Sequence, residues 1–109
     1  MRMMLHVELP VETANAAIRA GQLGPFIQKA LGDLNAEAAF FTESNGKRSG
    51  YIFFDMKDSS QLPAIAEPWF LAFNATISCK PAMTPQDLAG PAGAGIEAAV
   101  KAWPKTFGS

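Results

Sequence analysis

Three side chains in this sequence could carry out acid–base chemistry together: His6, Tyr51 and Asp55. His6 is the one histidine of the chain, and histidine suits a general base because it titrates near neutral pH. A tyrosine hydroxyl can donate a hydrogen bond to a developing enolate oxygen, and a carboxylate can orient an imidazole. We therefore predict these residues as a candidate catalytic group. The alternative is that His6 and Asp55 are hydrogen-bonded residues of an interface.

The turn Asn45-Gly46 decides which side chains share a face, because it lies between two apolar, aromatic-rich runs. Asn-Gly tolerates positive φ at both central positions and so favours a two-residue type I′ hairpin. Directly opposed residues lie on one face, and this turn places Phe40 opposite Tyr51. That face then carries Ala38, Phe40, Thr42, Tyr51, Phe53 and Asp55. A bulge at Gly50 would shift the register.

The first and last predicted strands add further side chains to the face that carries Tyr51. By alternation, Arg2, Met4, His6, Glu8, Thr76, Ser78 and Lys80 should lie there, whereas Met3, Leu5, Val7, Leu9, Ile77 and Cys79 should meet the helices. Aromatic rings mixed with titratable groups are typical of a small-molecule pocket. We predict as ligand-binding residues Met4, Phe40, Phe53, Trp69 and Ser78, with Trp69 as helix core or pocket wall.

Hydrophobic periodicity outlines the elements that must position these residues. Strands are predicted at 2–9, 37–43, 50–56 and 75–82, and helical periods at 12–34 and after Asp58-Ser59-Ser60-Gln61. Gly21 and Gly24-Pro25 should either kink the first helix or divide it into two short helices, and Pro68 should kink the second. Thr84 begins a short helix, 90–95 should be a loop, and Ile96, Val100 and Trp103 mark one face of a final helix.

This element order predicts an α+β fold of one domain spanning 1–109, with the split β-α-β layout of ferredoxin-like proteins. Its four-stranded antiparallel sheet should have the order 4-1-3-2, with the helices on one side and extra helices at the C-terminus. The other side of the sheet, which we call the bare face, then needs a cover. Because a small domain with few charges has apolar surface left over, we expect a homodimer or higher homo-oligomer.

Composition narrows the classes of partner and location. Hydrophobic residues make up 49% of the chain, charged residues 17%, and the net charge is −1. With no basic run, neither a nucleic acid nor a membrane surface is an expected partner. The single Cys79 excludes an internal disulfide, and the N-terminus lacks the pattern of a signal peptide, so we expect a cytoplasmic protein.

Several alternative sites are less well supported by the sequence. Cys79 is expected to be a buried small hydrophobe rather than a nucleophile. One histidine, one cysteine and scattered carboxylates offer no metal-ligand spacing, so no metal and no cofactor are predicted. The segment Gly90-Pro91-Ala92-Gly93-Ala94-Gly95 lacks the Lys-Ser/Thr of a phosphate-binding loop and is predicted to be a plain linker.

The whole element order resembles that of the dimeric α+β barrel superfamily. The likeness also extends from Glu67-Pro68-Trp69-Phe70-Leu71-Ala72-Phe73-Asn74 through Ile77-Ser78-Cys79-Lys80-Pro81 to Thr84-Pro85-Gln86-Asp87-Leu88. This superfamily includes muconolactone isomerase, the antibiotic-biosynthesis monooxygenases and uncharacterised bacterial families. The resemblance implies that two sheets pair into a barrel. It implies no one-to-one set of catalytic residues, because it is a likeness of pattern.

Two functions therefore remain open from the sequence. The first is a bacterial homodimer that binds a small aromatic or carbonyl compound, as a cofactor-free isomerase or monooxygenase. The second is a non-enzymatic binding or assembly module whose bare face serves only dimerisation. Whether the protein is an enzyme is left undecided at this stage.

Overall fold

A computed structural model describes residues 1–106, so the last three residues of the predicted domain 1–109 lie outside it. Within that range the chain forms strands β1 (Arg2–Leu9), β2 (Ala38–Ser44), β3 (Lys47–Asp55) and β4 (Thr76–Pro81). Its helices are α1 (Val11–Arg19), α2 (Leu23–Leu34), α3 (Leu62–Phe73), α4 (Pro85–Asp87) and α5 (Gly93–Ala102).

The four strands form one antiparallel sheet in the order β2-β3-β1-β4. Counted from the β4 edge, the same strand order is 4-1-3-2. β1 lies in the middle, antiparallel to both β3 and β4. The fold is therefore α+β, and its sheet and helices fit the ferredoxin-like layout in outline.

The hairpin between β2 and β3 has the predicted turn and register. Asn45 and Gly46 both have positive φ, 54° and 75°, as a type I′ turn requires. Phe40 lies opposite Tyr51, and the pairing continues without a bulge through Gly50. The ring of Phe41 lies over Gly50, where an added Cβ would come within 3.0 Å of it.

The core lies between one side of the sheet and helices α1–α3. Side chains of β1 alternate strictly between buried and half-buried. Buried residues of β1 and β3 meet Trp69 and Phe73 of α3, and Phe26 of α2 packs edge-on against both of these rings. The opposite side of the sheet, the bare face, is not covered by these three helices.

Local signals set the ends of the helices. Gly21, with φ of 69°, separates α1 from α2, so the region forms two short helices, one of the two predicted outcomes. Gly24-Pro25 does not interrupt the chain further, because both residues lie in the first turn of α2. Asp58 accepts a hydrogen bond from the backbone N–H of Ser60, and the Oε1 atom of Gln61 accepts one from the backbone N–H of Asp58, which completes a capping box. α3, which follows this capping box, continues through Pro68 to Phe73.

The C-terminal segment differs from the sequence-based expectation. Thr84 and Asp87 form a second capping box at α4, as its sequence suggests. The predicted loop at 90–95 is wrong, because a helical turn runs over Leu88–Ala92 and α5 already begins at Gly93. Only Gly90 has non-helical dihedrals there. The glycines disfavour helix, but α5 continues into Glu97-Ala98-Ala99-Val100-Lys101-Ala102, most of whose residues favour it, and the helix extends back from there to Gly93.

Residues 84–102, which we call the C-terminal arm, extend away from the rest of the chain. The main contacts of α5 are with the turn immediately before it, not with the sheet. The radius of gyration is 18.2 Å, whereas a compact domain of this length has about 13 Å. Over residues 1–106, no helix has the length and apolar character needed to cross a bilayer.

The position of Trp69 leads to a stability prediction. Trp69 is 1% exposed, whereas the nearby Leu71 is 81% exposed. We expect Trp69→Ala to lower the free energy of unfolding by about 3–5 kcal/mol, because a large cavity opens in the core. Leu71→Ala should change it by less than about 0.5 kcal/mol. Urea denaturation of both variants tests this, and equal losses would contradict the described core.

Candidate functional site

Three neighbouring strands bring polar side chains together at the centre of the bare face. In the register, His6 of β1 lies opposite Tyr51 of β3 and opposite Ser78 of β4. Glu8 lies opposite Ser49, one step along the same face. Because antiparallel partners share a face, these side chains form one cluster, which we call the His6 cluster.

The His6 imidazole is held by two contacts. Its ring stacks on the ring of Tyr51, with centroids 4.3 Å apart and planes 3° from parallel. Its Nε2 lies 2.7 Å from the Oγ of Ser49, a hydroxyl-bearing residue that is only 4% exposed. A stacked and hydrogen-bonded imidazole has a fixed orientation, and that is what proton transfer in a defined direction requires.

Two polar atoms of the cluster remain available to a ligand. Among residues 1–106, neither Nδ1 of His6 nor the hydroxyl of Tyr51 has a hydrogen-bond partner. If Nε2–H donates to Ser49, Nδ1 has a lone pair and can accept a proton. If Ser49 donates to Nε2, Nδ1–H can donate to a carbonyl oxygen instead. The arrangement therefore serves either acid–base chemistry or the orientation of a carbonyl ligand.

Asp55 lies too far from His6 to orient it, which corrects the sequence-based interpretation. It shares the bare face, but its partner in β1 is Arg2, four residues from His6, or about 13 Å along the strand. Its carboxylate binds the N-terminal ammonium of Met1 at 2.7 Å. That hydrogen bond lowers the pKa of Asp55. Ser49 makes the contact with the imidazole that was expected of Asp55.

The predicted ligand-binding residues divide between the two sides of the sheet. Met4, Phe53 and Ser78 are half-buried and surround His6 on the bare face, and Phe40 lies at its margin with 64% exposure. Phe40 and Phe53 meet edge to face at 6.5 Å. Trp69 does not belong with them, because it lies in the helix core on the opposite side. Trp69 and Phe73 recur at helical spacing in α3 because both rings pack in the core.

Sequence reasoning missed Ser49, although the necessary signal was present. The hairpin register places Ser49 on the same face as Tyr51 and two residues from it. A cross-strand diagonal neighbour of His6 is within reach of its side chain. Small polar residues near turns are usually exposed, so the residue type of Ser49 gave no indication that it is buried.

A hydrogen bond borders the cluster at one end and an ion pair at the other. Towards the hairpin, the amide of Asn45 donates to Glu8 at 3.2 Å. Towards the other end, Arg2 binds Glu37 through two hydrogen bonds of 2.7 and 3.0 Å. This pairing raises the pKa of Arg2 and lowers that of Glu37. Both side chains are well exposed, so the pair stabilises the fold only slightly.

A second concave region lies on the helix side of the sheet. It is a cavity of about 360 Å³ whose lining is mostly apolar: Val7, Leu9, Leu23, Ile27, Phe41 and Trp69, with Gly50, Thr42, Ser49 and Arg48. The missing side chain at Gly50 leaves room there, and Phe41 leans over it. Arg48 contacts Asn15 at 3.0 Å, so its guanidinium is directed along the surface.

Cys79 points to the helix side, as predicted, and packs against the core. Burial raises the pKa of its thiol, and a raised pKa leaves less of the reactive thiolate at neutral pH. Within residues 1–106, no three of the His, Cys, Asp and Glu side chains are grouped as metal ligands would be.

Comparisons with known proteins give a fold-level likeness alone. No family model matches the chain, and no curated protein is significantly similar to it. Among similar solved structures is a formyltetrahydrofolate deformylase from Pseudomonas putida KT2440, with a TM-score of 0.49 and 13% identity. The match covers 75% of this chain and 29% of that longer chain. A likeness of this size supports no conclusion about activity or substrate.

The contact between His6 and Ser49 can be tested by substitution. We expect Ser49→Ala to lower the free energy of unfolding by about 1 kcal/mol, because the half-buried Nε2 of His6 loses its partner. It should also displace the imidazole ¹⁵N resonances. Ser78→Ala is the matched control, since Ser78 lies on the opposite side of His6. Equal ¹⁵N displacement by both substitutions would contradict the assigned contact.

The Cys79 thiol offers a further test. Because burial raises its pKa, alkylation should reach half of its maximal rate at a higher pH in the folded protein than in urea. Iodoacetamide labelling followed by mass spectrometry measures this. A folded-state rate at pH 7 equal to or above the unfolded rate would show that the thiol is activated.

Proposed function

We propose that this protein is a ferredoxin-like homodimer that binds a small aromatic or carbonyl compound at the His6 cluster, between two bare faces. The observation that carries the proposal is the fixed imidazole of His6, stacked on Tyr51 and bonded to Ser49. Beside the apolar side chains of Met4 and Phe53, that pair presents two unused polar atoms. A purely structural surface would not need them.

A second copy supplies the enclosure that such a site requires. The bare face is open in one chain, and ligand pockets enclose most of their ligand's surface. Two bare faces packed together, as in the dimeric α+β barrel superfamily, would bury Met4 and Phe53 and exclude water from both His6 clusters. The apolar neighbours favour a planar or hydrophobic ligand, and the two polar atoms favour one with a carbonyl group.

The geometry suits cofactor-free proton transfer. Nδ1 of His6 would take a proton from a carbon next to the carbonyl, and the electron pair of that C–H bond would move into an enolate. The hydroxyl of Tyr51 would donate a hydrogen bond to the enolate oxygen. In a ligand with a carbon–carbon double bond next to the enolate, return of the proton to the far carbon of that bond gives an isomerisation that consumes nothing else. Reaction of the same enolate with O₂, with one oxygen atom entering the ligand and the other leaving as water, is the corresponding monooxygenase chemistry.

The alternative function is an assembly module without a ligand. It is favoured by Phe40, which is 64% exposed at the margin of the bare face, because such a ring fits a protein interface as well as a pocket. In that case partner side chains would fill the space at His6 and no ligand would be retained. The two functions therefore differ in whether a small molecule occupies the interface.

Native mass spectrometry of the purified protein tests the proposal directly. We expect a small molecule to co-purify with the dimer, and His6→Ala to lose it while remaining folded and dimeric. If His6 is a general base, turnover of an identified substrate should fall by about 10²–10⁴-fold. Asp55→Ala is the control, because Asp55 lies away from the cluster, and it should retain the ligand.

Two further results would decide against this site. Retention of the ligand by His6→Ala together with its loss in Leu23→Phe would place binding in the helix-side cavity. If the natural protein and the Ser49→Ala variant both purify as dimers with no small molecule bound, the assembly module would be favoured.

A further inference from the structure

The chain has much more surface than a compact protein of its size. Its accessible surface is 7533 Å², whereas a monomer of 11.6 kDa has about 5,800 Å². The excess of about 1,700 Å² is larger than the roughly 800 Å² that each partner buries in an interface of standard size. An isolated chain thus leaves enough surface uncovered for an obligate interface.

The C-terminal arm accounts for much of this excess. The molecule measures 58 × 32 × 23 Å, and the arm contacts mainly itself. Its larger apolar side chains are exposed: Leu88 by 50%, Ile96 by 56% and Val100 by 65%. Ile96 and Val100 are four residues apart, so they lie on one face of α5. A helix of ten residues with such a face needs tertiary packing to be stable.

The arm follows the end of β4 beside Arg2, where the backbone N–H of Ala82 donates to the carbonyl oxygen of Arg2 at 3.0 Å. The pKa of Arg2 is raised first by its hydrogen bond to Glu37 and also by the charge of Asp87. Asp87 ends α4, at the base of the arm, and it therefore lies near Arg2. Since the side chain of Arg2 belongs to the bare face, the base of the arm lies next to one end of that face.

We infer that the C-terminal arm of each chain packs on a second copy of the protein and covers the edge strand β2 of that copy at Phe40 and Phe41. This inference rests on the proposed homodimer and adds to it the element that fastens the two copies together. The arm would thereby close the margin of the partner's bare face, beside its His6 cluster.

The edge strand β2 is the surface that most needs a cover. One of its edges pairs with β3, and the other is unpaired within residues 1–106. Its Phe40 and Phe41 are 64% and 52% exposed, on opposite sides of the sheet. A long apolar edge strand is prone to pair with other chains, and a covering helix is one way by which proteins prevent this.

Topology favours the β2 of a second copy over the chain's own. β4, which leads into the arm, and β2 are opposite edges of the sheet, about 14 Å apart. When two such sheets pack face to face about a two-fold axis parallel to the strands, β4 of each copy comes to lie over β2 of the other. The arm then reaches the partner's edge without crossing its own sheet.

Disulfide trapping tests which chain the arm contacts. In a Cys79→Ser background, a variant carrying Ile96→Cys and Phe41→Cys should form a covalent dimer on oxidation in solution. The matched control carries Ala98→Cys in place of Ile96→Cys, on the opposite face of α5, and should cross-link at least about tenfold less. A cross-link within one chain would show that the arm folds back on its own sheet and would overturn the inference.

Charge substitutions test whether the arm contributes to assembly. Ile96→Asp combined with Val100→Asp should weaken dimerisation by about tenfold or more, because two apolar contacts are lost. Ala94→Asp combined with Ala98→Asp adds the same charges to the other face and should leave the dimer intact. Sedimentation velocity measures both. A dimer that is equally stable in both variants overturns the inference and leaves the proposed dimer standing, whereas a natural protein that is monomeric overturns both.

Discussion

The alternation of side chains along β1 is the constraint on which this structure depends. As the central strand, β1 sends every second residue into the helix core and the others to the bare face. The same geometry that buries Leu5 and Val7 therefore forces His6 to the opposite side, where only another protein or a ligand can cover it. A one-residue slip would place the imidazole in the core and remove its contacts with Tyr51 and Ser49.

Much of the fold could be predicted from the sequence, because the signals were local and strong. Asn45-Gly46 determined the turn type, and the turn determined the register. Gly21 marked the break between the first two helices, and Asp58 with Gln61 marked the start of α3. Such features depend on backbone dihedrals and nearby hydrogen bonds, and both can be inferred from residue type. Membership of the bare face followed from the register by simple alternation.

The parts that could not be predicted depend on distance along a strand or on tertiary contact. Asp55 was grouped with His6 because they share a face, but sharing a face does not give proximity, and four residues separate them in the register. A tryptophan such as Trp69 can line a pocket or fill a core, and its residue type does not indicate which. Only the packed structure distinguishes the two positions. The glycine-rich arm resembled a linker in composition, and its helical form and its extension are properties of the whole chain.

A second copy should cover both the bare face and the arm, since one chain leaves both exposed. Sedimentation equilibrium of the natural protein at micromolar concentration tests this most directly, because it measures mass without reference to shape. We expect a single species with twice the chain mass of 11.6 kDa. A single species at the chain mass would contradict it, because the surface that the structure leaves uncovered would then face water.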